Sequence, residues 1–326
     1  MQRRLLLQGA LALPAAGLLH PAARAADPWP PNKALSIIVP FGPGTALDLN
    51  ARELAQTLAA QTGASVIVEN RPGAGGTIGA TAVAKGRTDG ASILITDPIS
   101  LIGNPLLGTP VPFDWRTDLR PLAAMGSVDL YLYTTTKRPF TSFREMVDFA
   151  KANPGKLNIG TTGNGGVDHL CAERIKAHAG IDLTVIPYSN VGQVVVALMS
   201  GELDLYVLGP LPFLGPIKQG GVRALVSGAP VRSKLLPDVP TLTEAGLPGD
   251  LFFRSPFALF AAGGTPDATV QEIVRGLDTA LGNAGYQAKI AERGWSFKAE
   301  TPAGVRRNLD ELEVQIRKVV ETLKLR

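Results

Sequence analysis

Apolar residues along this chain fall into two kinds of pattern, separated by glycine-rich breaks. Residues 35–39 are a short run (Leu35, Ile37, Ile38, Val39) rich in β-branched side chains, as expected of a strand buried on both faces. Pro40, Gly42, Pro43 and Gly44 end it, and Leu47, Ala51, Leu54, Ala55 and Leu58 then recur at spacings of three and four, which predicts one buried helical stripe. The pattern repeats: a strand over 65–68, a glycine turn over 72–79 opening a helix that runs through Ala84, and a strand over 93–96. Strand–turn–helix repetition predicts a parallel sheet with helices on its faces.

The extended stretch 122–134 reads as a first crossing into another domain. A helix over 141–152, a strand over 157–159 and a third glycine turn over 160–166 follow, then a helix over 167–179 and a strand over 183–186. After the turn 187–190, Val191, Val194, Val195 and Leu198 mark a helix that stops at Gly201. Strands are expected over 203–208 and 222–226, the second returning the chain to the first domain. Thr265-Pro266 and Thr301-Pro302 each read as a capping hydroxyl with proline at the first helical position. Val270, Ile273, Val274, Leu277 and Leu281 form the stripe of the first of these helices. Val305, Leu309, Leu312, Ile316, Val319 and Leu323 form that of the second, which is too short to favour a coiled coil. The fold class is α/β, with 26–125 plus 225–326 as one domain and 126–224 as the other.

The first 25 residues read as an address. Arg3 and Arg4 precede an apolar run over 5–19, and Ala23-Arg24-Ala25 is a cleavage signature. The run is shorter than the roughly 20 residues of a membrane span. The arginine pair also suits twin-arginine export, although a general secretory signal looks the same. Cleavage after Ala25 removes three arginines and no acid, so the formal charge falls from +4 to +1 and no basic patch for nucleic acid remains. The single cysteine, Cys171, lies beside Leu170 in a helical pattern and reads as a small core residue.

All three glycine turns follow a strand and open a helix. Such turns present unpaired backbone N–H groups, and in open α/β sheets ligands lie beyond the carboxyl ends of the strands. Two such domains face to face would line one cleft with helix N-termini. No HExxH, CxxC, GxSxG or phosphate-loop pattern is present, and His169 and His178 are nine apart, a poor spacing for two metal ligands on one helix face. An enzyme alternative is a Rossmann-like nicotinamide-dependent oxidoreductase, from Gly42-Pro43-Gly44 after a strand and Glu69 ending the next. Leu47 at the third glycine position and the stiff Pro43 count against it. His169 either faces a ligand or bonds its own turn. Asp48 reads as a helix cap, because a carboxylate repels an anion. Asp204 either bonds a ligand or ties down its own turn. Arg71 either clamps an anion or, with Pro72 after it, points its side chain outward.

Taken together, these stretches resemble the solute receptors of tripartite tricarboxylate transporters, the Bug receptors of Gram-negative bacteria. IIVPFGPGTALDLNAR resembles the family's opening segment, and VENRPGAGGTIGA matches its second motif. GTTGNGGVDHL, IPYSNVGQVVVALMSGELDL, RSKLLPDVPTLTEAGLPG and GGTPDATV follow in the family's order, so the resemblance covers nearly the whole chain beyond residue 25. It implies a type II periplasmic-binding-protein fold, two α/β domains closing on a small carboxylate, with no catalysis, cofactor or metal. It also implies a periplasmic monomer that hands its solute to membrane permease subunits; a sensor subunit binding the same solute is the rival. The contacts expected from the first domain are Phe41, Gly44, Thr45, Gly73, Ala74, Gly75 and Gly76. Those from the second are Thr161, Thr162, Gly163, Gly165, Gly166, His169, Asn190 and Asp204. Gly42, Thr45, Ala46, Leu47, Gly166 and Ser189-Asn190-Val191 depart from the family pattern. With Leu47, Val191 and Phe41 at the cleft, the ligand body is expected to be apolar or aromatic.

Overall fold

The computed structural model describes residues 29–31, 34–254, 257–297 and 300–325; the expected export segment lies outside them. Strand β1 (Ala34–Val39) pairs in parallel with β2 (Ser65–Asn70) and with β3 (Ser92–Thr96), as the repeating pattern predicts. β4 (Leu119–Val128) and β10 (Phe257–Ala262) extend the sheet, β10 running antiparallel to both β3 and β4. β11 (Trp295–Ser296) adds an edge, giving the order β11-β4-β10-β3-β1-β2. A second sheet, ordered β7-β6-β8-β5-β9, contains β5 (Tyr131–Thr135), β6 (Asn158–Thr161), β7 (Thr184–Pro187), β8 (Leu205–Leu208) and β9 (Val222–Ser227).

Helices α1 (Ala46–Thr62), α2 (Thr77–Ala84), α3 (Pro98–Leu106) and α4 (Trp115–Asp118) follow the strands of the first sheet. α5 (Phe143–Ala152), α6 (Val167–Ala179), α7 (Val191–Ser200) and α8 (Leu214–Lys218) accompany the second. α9 (Asp267–Leu281), α10 (Ala284–Glu292) and α11 (Pro302–Thr322) end the described chain. Each sheet with its helices is called a lobe below.

Neighbouring residues on one strand feed different cores, which explains the unbroken apolar runs. Ile37 packs with Leu54, Leu58, Ile93 and Leu277 on one face of the first sheet. Ile38, one residue on, packs on the other face with Leu94 and Ile99 in a cluster that continues into the second lobe through Leu132, Ile159, Leu170 and Cys171. Tyr131, Tyr133, Tyr206 and Phe213 form a third, aromatic cluster on the far face of the second sheet. Each fully buried Leu or Ile contributes roughly 1.5–3 kcal/mol. The core that joins the lobes is therefore apolar, and Cys171 is buried in it as a packing residue.

Several expectations change. The extended stretch 122–134 is two strands in two sheets, with the change between Val128 and Tyr131. β9 lies wholly in the second sheet, where a boundary at 224/225 would have split it. Thr265 does not cap α9: its hydroxyl donates to the Ala262 carbonyl and Pro266 holds the cap position. Thr301 does cap α11, accepting from the Gly304 N–H at 3.2 Å. The buried stripe of α11 ends on Val320, with Val319 only partly covered.

Candidate ligand-binding site

The first turn is held by the helix it opens. Thr45 is the N-cap of α1 and accepts from the Asp48 N–H. Its hydroxyl proton goes to the Gly42 carbonyl at 3.0 Å. Asp48, buried, reaches back to accept from the Gly44 N–H at 2.9 Å and from Asn70 Nδ2 at 2.9 Å, and it pairs with Arg52. Burial pulls the Asp48 carboxyl up, but Arg52, the Gly44 N–H and Asn70 together outweigh it and hold the group below its ordinary value. So the cap role expected of Asp48 falls to Thr45, Asp48 braces the turn from inside the helix, and two predicted ligand donors, the Gly44 N–H and the Thr45 hydroxyl, are already committed. Leu47 points into the core of the first lobe, which removes it from the cleft wall.

The second turn is left-handed over four consecutive residues. Gly73, Ala74, Gly75 and Gly76 have φ of 128°, 49°, 59° and 92°. Alanine is strained at such a φ, and strain of this kind clusters at functional sites. The shape turns the chain into the N-terminus of α2, and among the described residues the Ala74 and Gly75 N–H groups find no acceptor. The half-buried Phe41 ring lies over this turn: a Cβ on Gly76 would sit 3.7 Å from its Cζ. Arg71 turns outward and pairs with Glu69 at 2.8 Å.

The third turn is braced by Asp168. Its Oδ2 accepts from the Thr162 N–H at 2.6 Å, the Thr162 hydroxyl at 2.8 Å and the Tyr206 hydroxyl at 3.1 Å. Its Oδ1 accepts from the His169 N–H at 2.8 Å. Burial pushes the Asp168 carboxyl up against the pull of these donors. His169 Nδ1 accepts from the Gly165 N–H at 3.2 Å, so this imidazole bonds its own turn; burial lowers its pKa. The Thr161 hydroxyl accepts from the Gly163 N–H at 3.4 Å, and the Thr161 carbonyl takes the Tyr188 N–H at 2.7 Å, joining the fourth turn to the third. Among the described residues the N–H groups of Gly166 and Val167, at the start of α6, find no acceptor. Asn190 is exposed and caps α7 by accepting from the Gln193 N–H.

Asp204 does not belong to this site. It is buried beside the start of β8, where Oδ1 accepts from Arg138 Nε at 2.6 Å and Oδ2 from the Asn158 N–H at 2.9 Å. Ile159 pairs with Leu205, so Asp204 sits at the amino end of the sheet, about 10 Å along the strands from the turn that follows Thr161. Its alternative role, tying down local chain, is the one it fills.

The second and third turns meet across the lobes. A Cβ on Gly163 would lie 3.5 Å from the Gly75 Cα, and one on Gly75 would lie 3.4 Å from the Asn164 carbonyl oxygen. Two buried groups at this junction were not foreseen. Asn104 of α3 donates from Nδ2 to the Gly75 carbonyl at 3.1 Å. Asp97 caps α3 by accepting from the Ile99 N–H at 3.0 Å and bonds the Ser100 hydroxyl at 3.3 Å. Burial pushes the Asp97 carboxyl up to about 6, and Asp168 in the other lobe adds to the rise. The acid in the first turn of α6 was a usable signal for Asp168, since Asp48 stands likewise in α1. Arrayed N–H groups at helix starts, with no lysine or arginine in the turns 41–45, 73–76 and 161–166, suit an anion held by backbone dipoles.

Known proteins resemble this chain over most of its length. Residues 50–322 match the tripartite tricarboxylate transporter family receptor. Protein BugT of Bordetella pertussis is 33% identical over 301 residues, covering 92% of this chain and 89% of that protein. The structure of R. palustris Rpa4515 with adipate superposes with a TM-score of 0.84 at 28% identity, covering 91% of this chain and 98% of that one. MatC from Rhodopseudomonas palustris, with bound malate, gives 0.79 at 26%, covering 88% and 98%. The two sheets are thus the α/β lobes of a periplasmic-binding-protein fold, and the family consists of solute-binding receptors, not enzymes. With most of its length matched by the family and by a relative at this identity, the chain belongs to the tripartite tricarboxylate transporter family of receptors.

Proposed function

We propose that this receptor works in the periplasm, binds a small carboxylate between its lobes and delivers it to membrane permease subunits. The carrying observation is the meeting of the second and third glycine turns, each at the start of a helix and each with N–H groups that find no acceptor among the described residues. A carboxylate buried there needs such pairing, because an unpaired ion in a closed cleft is very costly. Adipate and malate, bound by the two R. palustris relatives, are both dicarboxylates, which supports that ligand class here. Residues 26–128 with 228–326 would form one lobe and 129–227 the other, on a monomeric chain. The ligand contacts would come from Phe41, Ala74, Gly75 and Gly76 on one side and from Gly163, Gly166 and Val167 on the other.

The half-buried Phe41 and Val191 favour a ligand with an apolar body; Leu47 no longer contributes. The test is a thermal-shift panel of adipate, malate, benzoate, citrate and aspartate on the chain from residue 26. A true ligand at 100 times its Kd stabilises by about 2.7 kcal/mol, a shift of a few degrees. Adipate or benzoate is expected to give it. A shift with citrate or aspartate alone would sink the apolar-body argument, and none with any acid would sink the carboxylate reading.

A further inference from the structure

We propose that Gly103 and Asn104 of α3 are the first-lobe half of a latch that seats on Gly165 only when the cleft is shut, and so set how tightly the receptor holds its ligand. The inference rests on the receptor reading above. It starts from a glycine inside a helix, where alanine is favoured and a glycine needs a reason. The three heavy atoms nearest to a Cβ built on Gly103 all belong to Gly165 of the other lobe. That Cβ would overlap the Gly165 carbonyl oxygen and lie 3.2 and 3.3 Å from its carbonyl carbon and Cα. The missing side chain is therefore the space that the second lobe occupies.

Asn104 makes this contact specific. Its side chain is buried, and Nδ2 donates to the Gly75 carbonyl at 3.1 Å and to Thr77 Oγ1 at 3.3 Å, tying α3 to the left-handed second turn. On its other side, a Cβ on Gly165 would lie 2.7 Å from the Asn104 backbone nitrogen and 2.8 Å from Oδ1. One residue thus shapes the ligand-facing turn of its own lobe and abuts the facing turn of the other. A contact made between elements of two lobes stabilises the shut state alone, so it shifts the open–shut balance and, through it, apparent affinity. Asn104 and Gly103 are positioning residues on this account; neither needs to touch the ligand.

Gly103→Ala separates this role from a structural one. In the separated lobes the added methyl has room and suits the helix, so the unliganded unfolding midpoint should stay or rise. With the lobes together it collides. Spin labels at Ile67→Cys and Val196→Cys, exposed positions on opposite lobes, report the spacing directly, and Cys171 is buried away from the label. With saturating adipate, or malate where adipate gives no change, the parent should shift to shorter distances. Gly103→Ala should lose that population and bind the same acid at least tenfold more weakly. Asn104→Ala, which drops the Gly75 bond but adds no clash, should weaken binding less. A Gly103→Ala protein with the parent's distances and affinity would overturn the latch while leaving the receptor reading intact. A parent that binds the acid with unchanged distances would overturn the latch alone, and a parent that binds no acid of the panel would overturn both.

Discussion

Asp48 and Asp168 do the same work in opposite lobes. Each stands in the first turn of a helix and reaches back to take an N–H of the glycine turn before it. A turn that must offer some of its N–H groups to a ligand needs the others held, or it would collapse onto itself. Asp168 takes four donors on a buried carboxylate, with no arginine or lysine among them. Asp168→Ala should strand those buried donors and lower stability by roughly 2–4 kcal/mol, read as a fall in the urea midpoint. Asp168→Asn, which keeps an acceptor oxygen, should recover part of it. A midpoint unmoved by the alanine variant would show that the bonds to Asp168 are replaceable by water. At this scale the outward Arg71 was legible in the sequence, Asp48 only in its lack of a ligand role, since Thr45 takes the cap, and Asp204 and Leu47 less so. Asp204 precedes its strand, so the linear pattern already puts it at the end away from the turns, whereas nothing in that pattern says on which side of a helix start a leucine falls.

At the scale of elements, α1 and α7 were legible from the apolar stripe that follows each turn, and α2 and α6 from the glycine turn that opens each. α3 was not. Its sequence, PISLIGNPL, carries Pro98, Gly103 and Pro105, three residues that read as loop. Pro98 is tolerated at the first turn, where its missing N–H has no partner in any case. The helix survives because Ile99, Leu101, Ile102 and Leu106 are covered by the cluster that joins the lobes. β10 and β11 escaped for a related reason: they sit far along the chain from the strands they pair with, so no local repeat announces them.

The cap of α3 predicts a pH dependence. Asp97 has a folded pKa of about 6 against an ordinary 3.8, raised chiefly by burial. The folded state therefore binds the proton more tightly than the unfolded chain. The stability this group supplies is full below pH 3.8 and is lost as pH rises through 6, a change of roughly 3 kcal/mol. Asp97→Asn keeps an oxygen for the Ile99 N–H without the buried charge. It should exceed the parent in thermal midpoint at pH 7.5, with the gap closing toward pH 4. A constant gap across that range would show that Asp97 does not titrate this way.

For the whole molecule, the question is what holds two lobes in a shut arrangement that can still open. The apolar cluster running from Ile38 through Leu132 to Leu170 joins them on one side, close to where the chain passes from β4 to β5. Across the turns the joint is different: glycine against glycine, with backbone and a single carboxamide in contact. An apolar joint resists separation more than a contact of glycine backbones, which have no apolar side chain to bury, so opening should swing about the first and part the second. Small-angle scattering reads this directly. A compact chain of about 300 residues has a radius of gyration near 19 Å. The unliganded protein should exceed that value and fall toward it when a carboxylate from the panel saturates the cleft. The fall should be absent in Gly103→Ala, whose lobes cannot seat. An unchanged radius in a parent protein proven to bind would mean that the lobes stay together and the ligand enters by another route.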